Sequence, residues 1–366
     1  MYIKLRLPSL LLIFVLLLSL FSCAGEIPDN TTKKPDNKPN DHNTENPDPT
    51  QENPKHDTNE KLENYHPLLW KVSDDQGHYM YLFVTLEAAD APIFPLPVAV
   101  WNAYYDSVAF LAEKDVYSFE KLFEKKDDEN AQKQLIEYYK KLMYMDDTIA
   151  SHLSKSAYTA ATTIFTQYNL THKLYEYYNP IFWMDKMDEI IIRESGLSDQ
   201  YNTDIHMIEQ AMKDDKLISL MRMDEKAVMQ SKLSDKLQEY MLSSYLEEGA
   251  IDKKIEQMKD GYQAWIQGDK AALETIFAAP LFPEIPATPA HGETASEMYT
   301  LYTEYMEKYY TPIMNDVFEQ VKGYLDGGYT IFCSLHASWL LRNDGLINRL
   351  FNAGYTVELM NTDTEQ

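Results

Sequence analysis

The stretch 79–90 of the chain, YMYLFVTLEAAD, ends an apolar run with two carboxylates. Tyr79 to Thr85 have the composition of a buried strand, and Glu87 and Asp90 follow at the point where that strand ends. In α/β proteins, ligands bind at the carboxyl ends of strands. A carboxylate placed there suits a metal ligand or a general base. A solvated residue at the start of a loop is the alternative interpretation of Glu87.

A second group of reactive side chains lies in the stretch CSLHAS, which contains Cys333 and His336. A thiol close to an imidazole suggests a nucleophile, but neighbouring loop residues seldom point at each other. We therefore predict that Cys333 is a small buried hydrophobic residue. The stretch also lacks the flanking glycines of a serine nucleophile elbow. No P-loop, dinucleotide fingerprint or His-Glu-x-x-His helix occurs in the sequence.

The elements that must position these residues come from both ends of the chain. Residues 68–72 and 79–85 are two apolar runs joined by SDDQGH, which predicts a β-hairpin. A helix near 98–105 and a strand near 107–112 follow. The last residues, 329–360, have the pattern of a strand, a loop that carries His336, a helix, a turn and a final strand.

The middle of the chain is predominantly helical. Leu, Tyr and Met recur at three- and four-residue spacings from residue 118 to 268, with one short strand at 217–220. A long helix is predicted over 297–325, with Pro312 as a kink or break. The sequence thus predicts an α/β (α+β) fold, in which strands from the N- and C-terminal ends build a central mixed sheet around a large helical middle segment.

The first 62 residues predict a targeting segment and a spacer. Residues 1–22 carry Lys4 and Arg6 before a long apolar run, the pattern of a secretory signal. The end of this run, LFSC, resembles a bacterial lipobox, so we expect cleavage before Cys23 and lipidation of that cysteine. Residues 23–62 are rich in Asn, Pro, Asp and Lys, which predicts a disordered linker. The folded domain is predicted over 63–366, on a protein anchored to the bacterial cell envelope and facing outside the cytoplasm.

The formal net charge of the chain is −25. A surface this acidic repels phosphate backbones, which excludes nucleic acid as an expected partner. Cys333 is the only cysteine besides Cys23. If Cys23 carries lipid, no intramolecular disulfide can form, and the core must be stabilised by packing.

Several segments together resemble the TraB/GumN family. This family includes the TraB and PrgY pheromone-shutdown proteins and the Tiki metalloproteases. The resemblance spans roughly residues 66–360 and depends on the order and spacing of the segments LLWKVSDDQGHYMYLFVTLEAAD, FPLPVAVWNAYYDSVAFLAEKD, DIHMIEQAMKDDKLISL, AWIQGD and YTIFCSLHASWLLRNDGLINRLFNAGYTVE.

The resemblance also implies site residues. Members carry two Gly-x-x-His motifs after an early and a late strand, and a glutamate at the end of a further early strand. The late motif falls on Cys333 to His336, so the histidine matches. The glutamate matches Glu113. The early motif falls on Val84 to Glu87, where Val84 replaces the glycine and Glu87 replaces the histidine.

Two further family positions have changed. An Arg-Asn pair of the long C-terminal helix falls near Tyr310 and Thr311, and a glutamate after the middle strand falls on Met221. In Tiki-like members the motif residues are thought to hold a divalent metal for peptide hydrolysis. The resemblance therefore implies Glu87, Glu113 and His336 as metal ligands and catalytic residues, with Mn²⁺, Co²⁺ or Zn²⁺ as the ion. A carboxylate in place of a histidine favours harder ions.

Two functions remain open at the level of sequence. The first is a divalent-metal-dependent peptidase-like hydrolase in which the changed motifs have weakened or abolished activity. The second is a non-catalytic extracellular protein that keeps the family fold and binds a peptide or protein partner. In both interpretations the membrane is contacted through the lipid on Cys23. The spatial expectation shared by both is that the early and late strands lie side by side.

Overall fold

The computed structural model describes residues 65–90, 93–113, 121–125, 127–221, 226–282 and 297–360. The predicted signal peptide, Cys23 and the predicted linker lie outside these residues, and so does most of the Pro-rich segment 279–293. No helix in the described part of the chain is both long enough and apolar enough to cross a membrane.

The predicted hairpin is confirmed. Strands β1 (Leu69–Ser73) and β2 (Tyr79–Thr85) pair antiparallel, with Leu69 opposite Phe83. The Asp74 carboxylate closes the turn, because its Oδ1 accepts hydrogen bonds from the backbone amides of Gln76 at 2.9 Å and His78 at 2.8 Å. The turn therefore depends on a short acidic side chain that satisfies backbone donors.

The sheet contains strands from the beginning, the middle and the end of the chain. The remaining strands are β3 (Ala109–Ala112), β4 (Leu217–Leu220), β5 (Ile331–His336) and β6 (Thr356–Leu359). The strand order is β4-β3-β5-β2-β1-β6. Strand β5 pairs parallel with β2 on one side and with β3 on the other, whereas β1 runs antiparallel to both of its neighbours. The mixed sheet predicted from the sequence is confirmed.

The helical middle segment is confirmed as well. The helices are α1 (Val98–Asp106), α2 (Glu129–Lys140), α3 (Lys155–Gln167), α4 (Pro180–Ser195), α5 (Thr203–Lys213), α6 (Lys226–Gln230), α7 (Asp235–Leu246), α8 (Ala250–Gln267), α9 (Lys270–Phe277), α10 (Glu297–Tyr305), α11 (Thr311–Asp326), α12 (Ala337–Leu340) and α13 (Leu346–Asn352). Asparagine begins two of the helices that matter for the site. Asn179 caps α4 and Asn202 caps α5, each through a side-chain oxygen that accepts two backbone amides.

The long C-terminal helix is interrupted near Pro312, as the sequence predicts. Residues Met306–Tyr310 form a π-helical turn between α10 and α11, and Pro312 lies in the first turn of α11. Proline lacks an amide hydrogen, so it is tolerated best where the preceding turn needs no such donor. The π-helical turn places Tyr309 and Tyr310 in the protein interior.

The core at the carboxyl end of β2 is organised around Trp265 of α8. Its indole nitrogen donates to the Val84 carbonyl at 2.9 Å, and its ring lies edge-on to Phe83 with 6.2 Å between ring centroids. Phe83 in turn contacts Phe332 of β5 at 5.7 Å. Trp265 is fully buried. This tryptophan therefore joins the helical segment to the two strands that meet at the centre of the sheet.

Gly268, just after α8, lies against the start of the described chain. Its φ is +64°, and a Cβ atom built on it would lie 2.3 Å from the backbone carbonyl oxygen of His66. Gly249, just before α8, has a similar φ of +74° but no atom within 4 Å of the Cβ position. The two glycines thus share a left-handed conformation and differ in crowding.

We predict that Gly268→Ala destabilises the protein by about 3 kcal/mol, because left-handed strain and a backbone clash add together. The matched control Gly249→Ala should cost only the conformational strain, about 1 kcal/mol. Urea unfolding of the two variants and the wild-type protein measures the difference. Equal losses in the two variants would show that His66 and Gly268 are not in contact.

Candidate functional site

Three parallel strands end at the same edge of the sheet. Thr85, the last residue of β2, is paired with His336, the last residue of β5. Strand β3 pairs with the other side of β5, and Glu113 follows its last residue. The expectation that the early and late strands lie side by side is therefore confirmed. Glu87, Glu113 and His336 all follow or end strands at this edge.

The segment that carries Glu87 is held by α5. The Thr203 hydroxyl accepts a hydrogen bond from the Leu86 amide at 2.8 Å and donates to the Leu86 carbonyl at 3.2 Å. The Thr203 amide donates to the same carbonyl at 3.0 Å. Three hydrogen bonds thus connect the residue before Glu87 to the start of a helix more than a hundred residues away in sequence.

Glu113 is buried, and both of its carboxylate oxygens have partners. Only 2% of the surface of this residue is exposed to solvent. One carboxylate oxygen accepts a hydrogen bond from the His336 backbone amide at 2.8 Å, and the other lies 2.5 Å from the Lys226 ammonium nitrogen. A buried carboxylate requires such partners, because removing an ion from water is costly unless opposite charge and hydrogen bonds replace the water. Lys226, the first residue of α6, provides that charge.

The His336 imidazole begins the short helix α12. Its Nδ1 atom accepts the Ser338 amide at 3.3 Å and lies 2.9 Å from the Ser338 hydroxyl. A ring nitrogen that accepts from a backbone amide carries no proton, so the neutral imidazole has its proton on Nε2. The ring packs edge-on against Phe277, with 5.1 Å between centroids. His336 is therefore oriented by its own helix and by α9.

Glu87 is exposed and lines a cavity of about 310 Å³, which we call the acidic pocket. The pocket is lined by Leu86, Glu87, Ala88, Asp188, Ile191, Ile192, Tyr245, Lys254, Gln257, Met258, Ile276, Phe277 and His336. The structure thus brings Glu87 and His336 to one pocket. Glu113 is not part of its lining.

Asp188, Tyr245 and Lys254 form a group that sequence reasoning missed. The Tyr245 hydroxyl donates to Asp188 at 2.9 Å, and the Lys254 ammonium lies 4.2 Å from the centre of the Tyr245 ring. The three residues come from helices α4, α7 and α8. Their spacing in the sequence follows ordinary helical patterns, so only the packing of the three helices reveals the group.

The environment of the pocket changes the pKa values of Asp188 and Lys254. Desolvation by the surrounding protein atoms raises the pKa of Asp188 to about 7, and the nearby charges of Glu87 and Glu189 raise it further. The Tyr245 hydrogen bond and the Lys254 charge oppose it. The Asp188 side chain nevertheless keeps contact with water, because it faces the open pocket. Desolvation also lowers the pKa of Lys254, while Asp188 acts in the opposite direction.

The metal site implied by the family resemblance does not fit this arrangement. In the described part of the chain, no group of three or more His, Cys, Asp or Glu side chains is placed to hold a metal ion. Both oxygens of Glu113 already have partners, and the Nδ1 atom of His336 accepts from its own helix. The ligand set of Glu87, Glu113 and His336 stays a prediction of the sequence that this geometry does not favour.

Cys333 is fully buried, as predicted for a small hydrophobic residue. Burial raises the pKa of its thiol, and the charges of Glu113 and Asp204 raise it further. The thiolate, which is the nucleophilic form, is therefore disfavoured. Cys333 thus contributes to packing beneath the strand ends.

The two altered family positions are also buried. Met221 follows β4 and donates its amide to the Ala112 carbonyl at 2.8 Å, one residue before Glu113. Tyr310 donates its hydroxyl to Asp344 at 2.9 Å, and the Arg342 guanidinium lies 4.2 Å from its ring centre. Where the resemblance implies an arginine on the C-terminal helix, the chain thus has a tyrosine that contacts an arginine from the segment after β5.

One of three comparisons with known proteins gives a match. The model of the TraB/PrgY/gumN family matches residues 68–359, which is most of the chain and contains all three strand ends described above. No curated protein matches the sequence, and no solved structure matches the fold. On the length of this match, the chain belongs to the TraB/PrgY/gumN family.

Proposed function

We propose that this protein binds a peptide in the acidic pocket and does so without a metal ion. The observation that carries the proposal is the state of Glu113, whose two oxygens are occupied by the Lys226 ammonium and the His336 amide. An internal cation stands where the family resemblance implies a metal, while the acidic pocket beside it remains open. This supports the binding function over the hydrolytic one.

The charges of the pocket favour a ligand with a basic group. Glu87 and Asp188 contribute two carboxylates, against the single ammonium of Lys254. Apolar walls from Ile191 and Met258 provide contact for side chains or a peptide backbone. The net charge of −25 also attracts cationic peptides over distances of about 10 Å. A basic peptide is the ligand that satisfies these features together.

The proposed location is the outer face of a bacterial cytoplasmic membrane or cell envelope. It rests on the apolar leader, on the lipobox-like LFSC before Cys23, and on the polar segment 24–62. Lipid on Cys23 would hold the domain at the surface, and the polar segment would act as a spacer between the membrane and the pocket. A peptide ligand would then be met outside the cytoplasm.

A divalent-metal-dependent peptidase with a degenerate site is the second candidate. It is favoured by one observation, namely that Glu87 and His336 line the same pocket. For this function Lys226 would have to leave Glu113, so that the carboxylate could turn toward an ion. The two candidates therefore differ in what happens when Lys226 is removed.

We predict that Lys226→Met destabilises the protein by about 3 kcal/mol, because it removes the cation that pairs with the buried Glu113 carboxylate. This value is at the low end for a broken buried pair, since Lys226 keeps some contact with solvent. Glu113→Gln in the same background should recover most of the loss. Urea unfolding of the single and double variants measures the coupling between the two residues.

Wild-type protein and the Lys226→Met variant are then heated with Mn²⁺, Co²⁺ or Zn²⁺ at increasing concentration. The binding function predicts no specific stabilisation of the wild-type protein by any of the three ions. A rise in Tm of the wild-type protein that saturates with ion and disappears in Glu113→Gln would overturn the proposal in favour of the peptidase. Lys259→Met, which removes an exposed lysine, is the control for non-specific binding of ions to the acidic surface.

A basic peptide should bind more tightly as the pH rises through about 7. Because the pKa of Asp188 is raised to about 7, its carboxylate is mostly neutral below that pH and charged above it. Isothermal titration with acetyl-Lys-Lys-Lys-amide, which carries only positive charge, should show an affinity about threefold higher at about pH 8 than at about pH 6. Asp188→Asn should remove this change with pH.

Two variants test whether the acidic pocket is the binding site. Glu87→Gln should weaken binding of the same peptide about threefold at about pH 8. Glu256→Gln removes an exposed carboxylate from α8, outside the pocket lining, and should leave the affinity unchanged. Equal effects of the two substitutions would show attraction by the whole surface and not binding in the pocket.

Lipidation is tested separately in a bacterial host. The wild-type chain should incorporate an alkyne-labelled fatty acid and sediment with membranes, because Cys23 follows the lipobox-like sequence. The Cys23→Ala variant should lose both the label and the membrane association, whereas Cys333→Ala should keep both. Labelling that survives in Cys23→Ala would contradict the proposed anchor.

A further inference from the structure

A second cavity, of about 300 Å³, shares the lining residue Phe277 with the acidic pocket. We call it the aromatic pocket. Its lining includes four large rings and two cations, namely Tyr305, Tyr309, Tyr310, Trp339, Lys226 and Arg342. These residues belong to α6, α10, the π-helical turn, α12 and the segment that follows α12.

The charge of the aromatic pocket is opposite to that of the chain. The sequence has 58 acidic residues against 33 Lys and Arg. Among the described residues that line this pocket, none is Asp or Glu. The partner carboxylates of the two cations, Glu113 and Asp344, both lie outside the lining. Each ion pair therefore turns its positive end toward the cavity.

Arg342 is held in place by contacts that leave part of its guanidinium available. Its Nε atom donates to Asp344 at 3.0 Å, and its Cζ atom lies 4.2 Å from the centre of the Tyr310 ring. Its two terminal nitrogens donate no hydrogen bond to another described residue. Stacking on a ring and one charged hydrogen bond fix the plane of the guanidinium, which suits the fork-like recognition of a carboxylate.

The rings continue this arrangement toward Lys226. Tyr310 stacks on Trp339 with 5.5 Å between centroids and 8° between planes. The Lys226 ammonium, which pairs with Glu113, lies 5.2 Å from the Trp339 ring centre. One wall of the pocket is thus a row of four groups, in the order Arg342, Tyr310, Trp339 and Lys226. Each cation at an end of the row lies near an aromatic ring.

Two neutral hydroxyl donors complete the lining. Tyr305 and Tyr309 are both largely buried, yet neither hydroxyl is hydrogen-bonded to another described residue. Burial raises the pKa of both phenols, so both remain protonated and able to donate. Neither hydroxyl is among the fully buried atoms without a partner, so both keep contact with the solvent-filled cavity and are available to a bound acceptor.

We propose that the aromatic pocket binds a carboxylate attached to an apolar or aromatic body, and that its occupant is the carboxyl-terminal end of a peptide. The Arg342 guanidinium, with the Tyr305 and Tyr309 hydroxyls, would hold the carboxylate. The walls of Phe277, Tyr310 and Trp339 would contact the last side chain. Such a ligand would contact the hydrogen-bond donors with its carboxylate and the aromatic rings with its side chain, whereas inorganic phosphate would contact the donors alone.

This inference rests on the proposed peptide-binding function, and it names the part of the peptide that is recognised. Because Phe277 lines both pockets, one peptide could place a basic group against Glu87 and Asp188 in the acidic pocket and its carboxylate against Arg342 in the aromatic pocket. A single ligand with separated charges would then satisfy two pockets of opposite sign.

The first experiment uses small probes in isothermal titration with the purified protein. N-acetyl-phenylalanine should bind at least about tenfold more tightly than N-acetyl-phenylalanine amide, since a charged hydrogen-bonded contact is worth about a factor of ten. N-acetyl-alanine should bind more weakly than N-acetyl-phenylalanine, since it leaves the aromatic walls uncovered. Equal affinity for the acid and the amide would overturn the proposal.

Three variants locate the binding. Arg342→Gln should lower the affinity for the acid to that of the amide. Tyr309→Phe, which keeps the ring and removes one donor, should weaken the acid about threefold while the fold stays intact. Lys308→Gln removes a positive charge from the same π-helical turn without lining the pocket, and should have no effect. If Arg342→Gln does not fold, the Tyr309→Phe and Lys308→Gln pair decides, and an equal response of those two would contradict the proposal.

The second experiment separates this inference from the proposed function. Two versions of the peptide Lys-Lys-Ala-Phe are compared, one with a free carboxylate and one amidated. Tighter binding of the free peptide that is lost in Arg342→Gln supports both proposals. Equal binding of the two versions that depends on Glu87 keeps the peptide function and overturns the carboxylate site. Binding of N-acetyl-phenylalanine with no binding of either peptide keeps the pocket as a site for a free carboxylic acid and overturns the peptide function.

Discussion

The carboxylate of Glu113 connects three separate parts of the chain at the edge of the sheet. It follows β3, accepts the amide of the last residue of β5, and forms an ion pair with the first residue of α6. A carboxylate that is 2% exposed cannot remain ionised without partners of this kind. Its need for a cation therefore fixes where α6 begins relative to the sheet. The position of α6, in turn, defines the aromatic pocket through the Lys226 side chain.

A carboxylate at the end of a strand can either coordinate a metal ion or form an ion pair with a side chain, and the contact between Glu113 and Lys226 favours the second. A divalent ion would require oxygens and ring nitrogens that are free to converge, whereas Glu113 and the Nδ1 atom of His336 each accept from neighbouring backbone amides. A lysine ammonium places one positive charge in the same location and leaves no open coordination position for water. Glu87 lines the acidic pocket with Asp188, and neither Glu113 nor Lys226 belongs to that lining. The carboxylates at the strand ends are therefore divided between an internal ion pair and an open cavity.

Much of the fold follows from local patterns in the sequence, and most of the site does not. The period and composition of residues 68–85 predict the hairpin, and Pro312 predicts the break in the C-terminal helix. The meeting of β2 and β5 follows from parallel pairing of strands at the two ends of the chain. The partner of Glu113 could not be predicted, since Lys226 is 113 residues away and an isolated lysine at a helix start carries no distinctive pattern. Asp188 was missed for the same reason, because its raised pKa arises from three helices that meet only in the folded protein.

The two pockets differ in which charged side chains line them. Lys226 and Arg342 line the aromatic pocket, whereas their partner carboxylates, Glu113 and Asp344, lie outside its lining. The acidic pocket is lined by the two carboxylates of Glu87 and Asp188 and by one ammonium, that of Lys254, which lies over the Tyr245 ring. Phe277 is the residue that the linings of the two pockets share. An acidic chain can thereby present a local positive site, because the carboxylates that pair with Lys226 and Arg342 do not line the cavity that the two cations face.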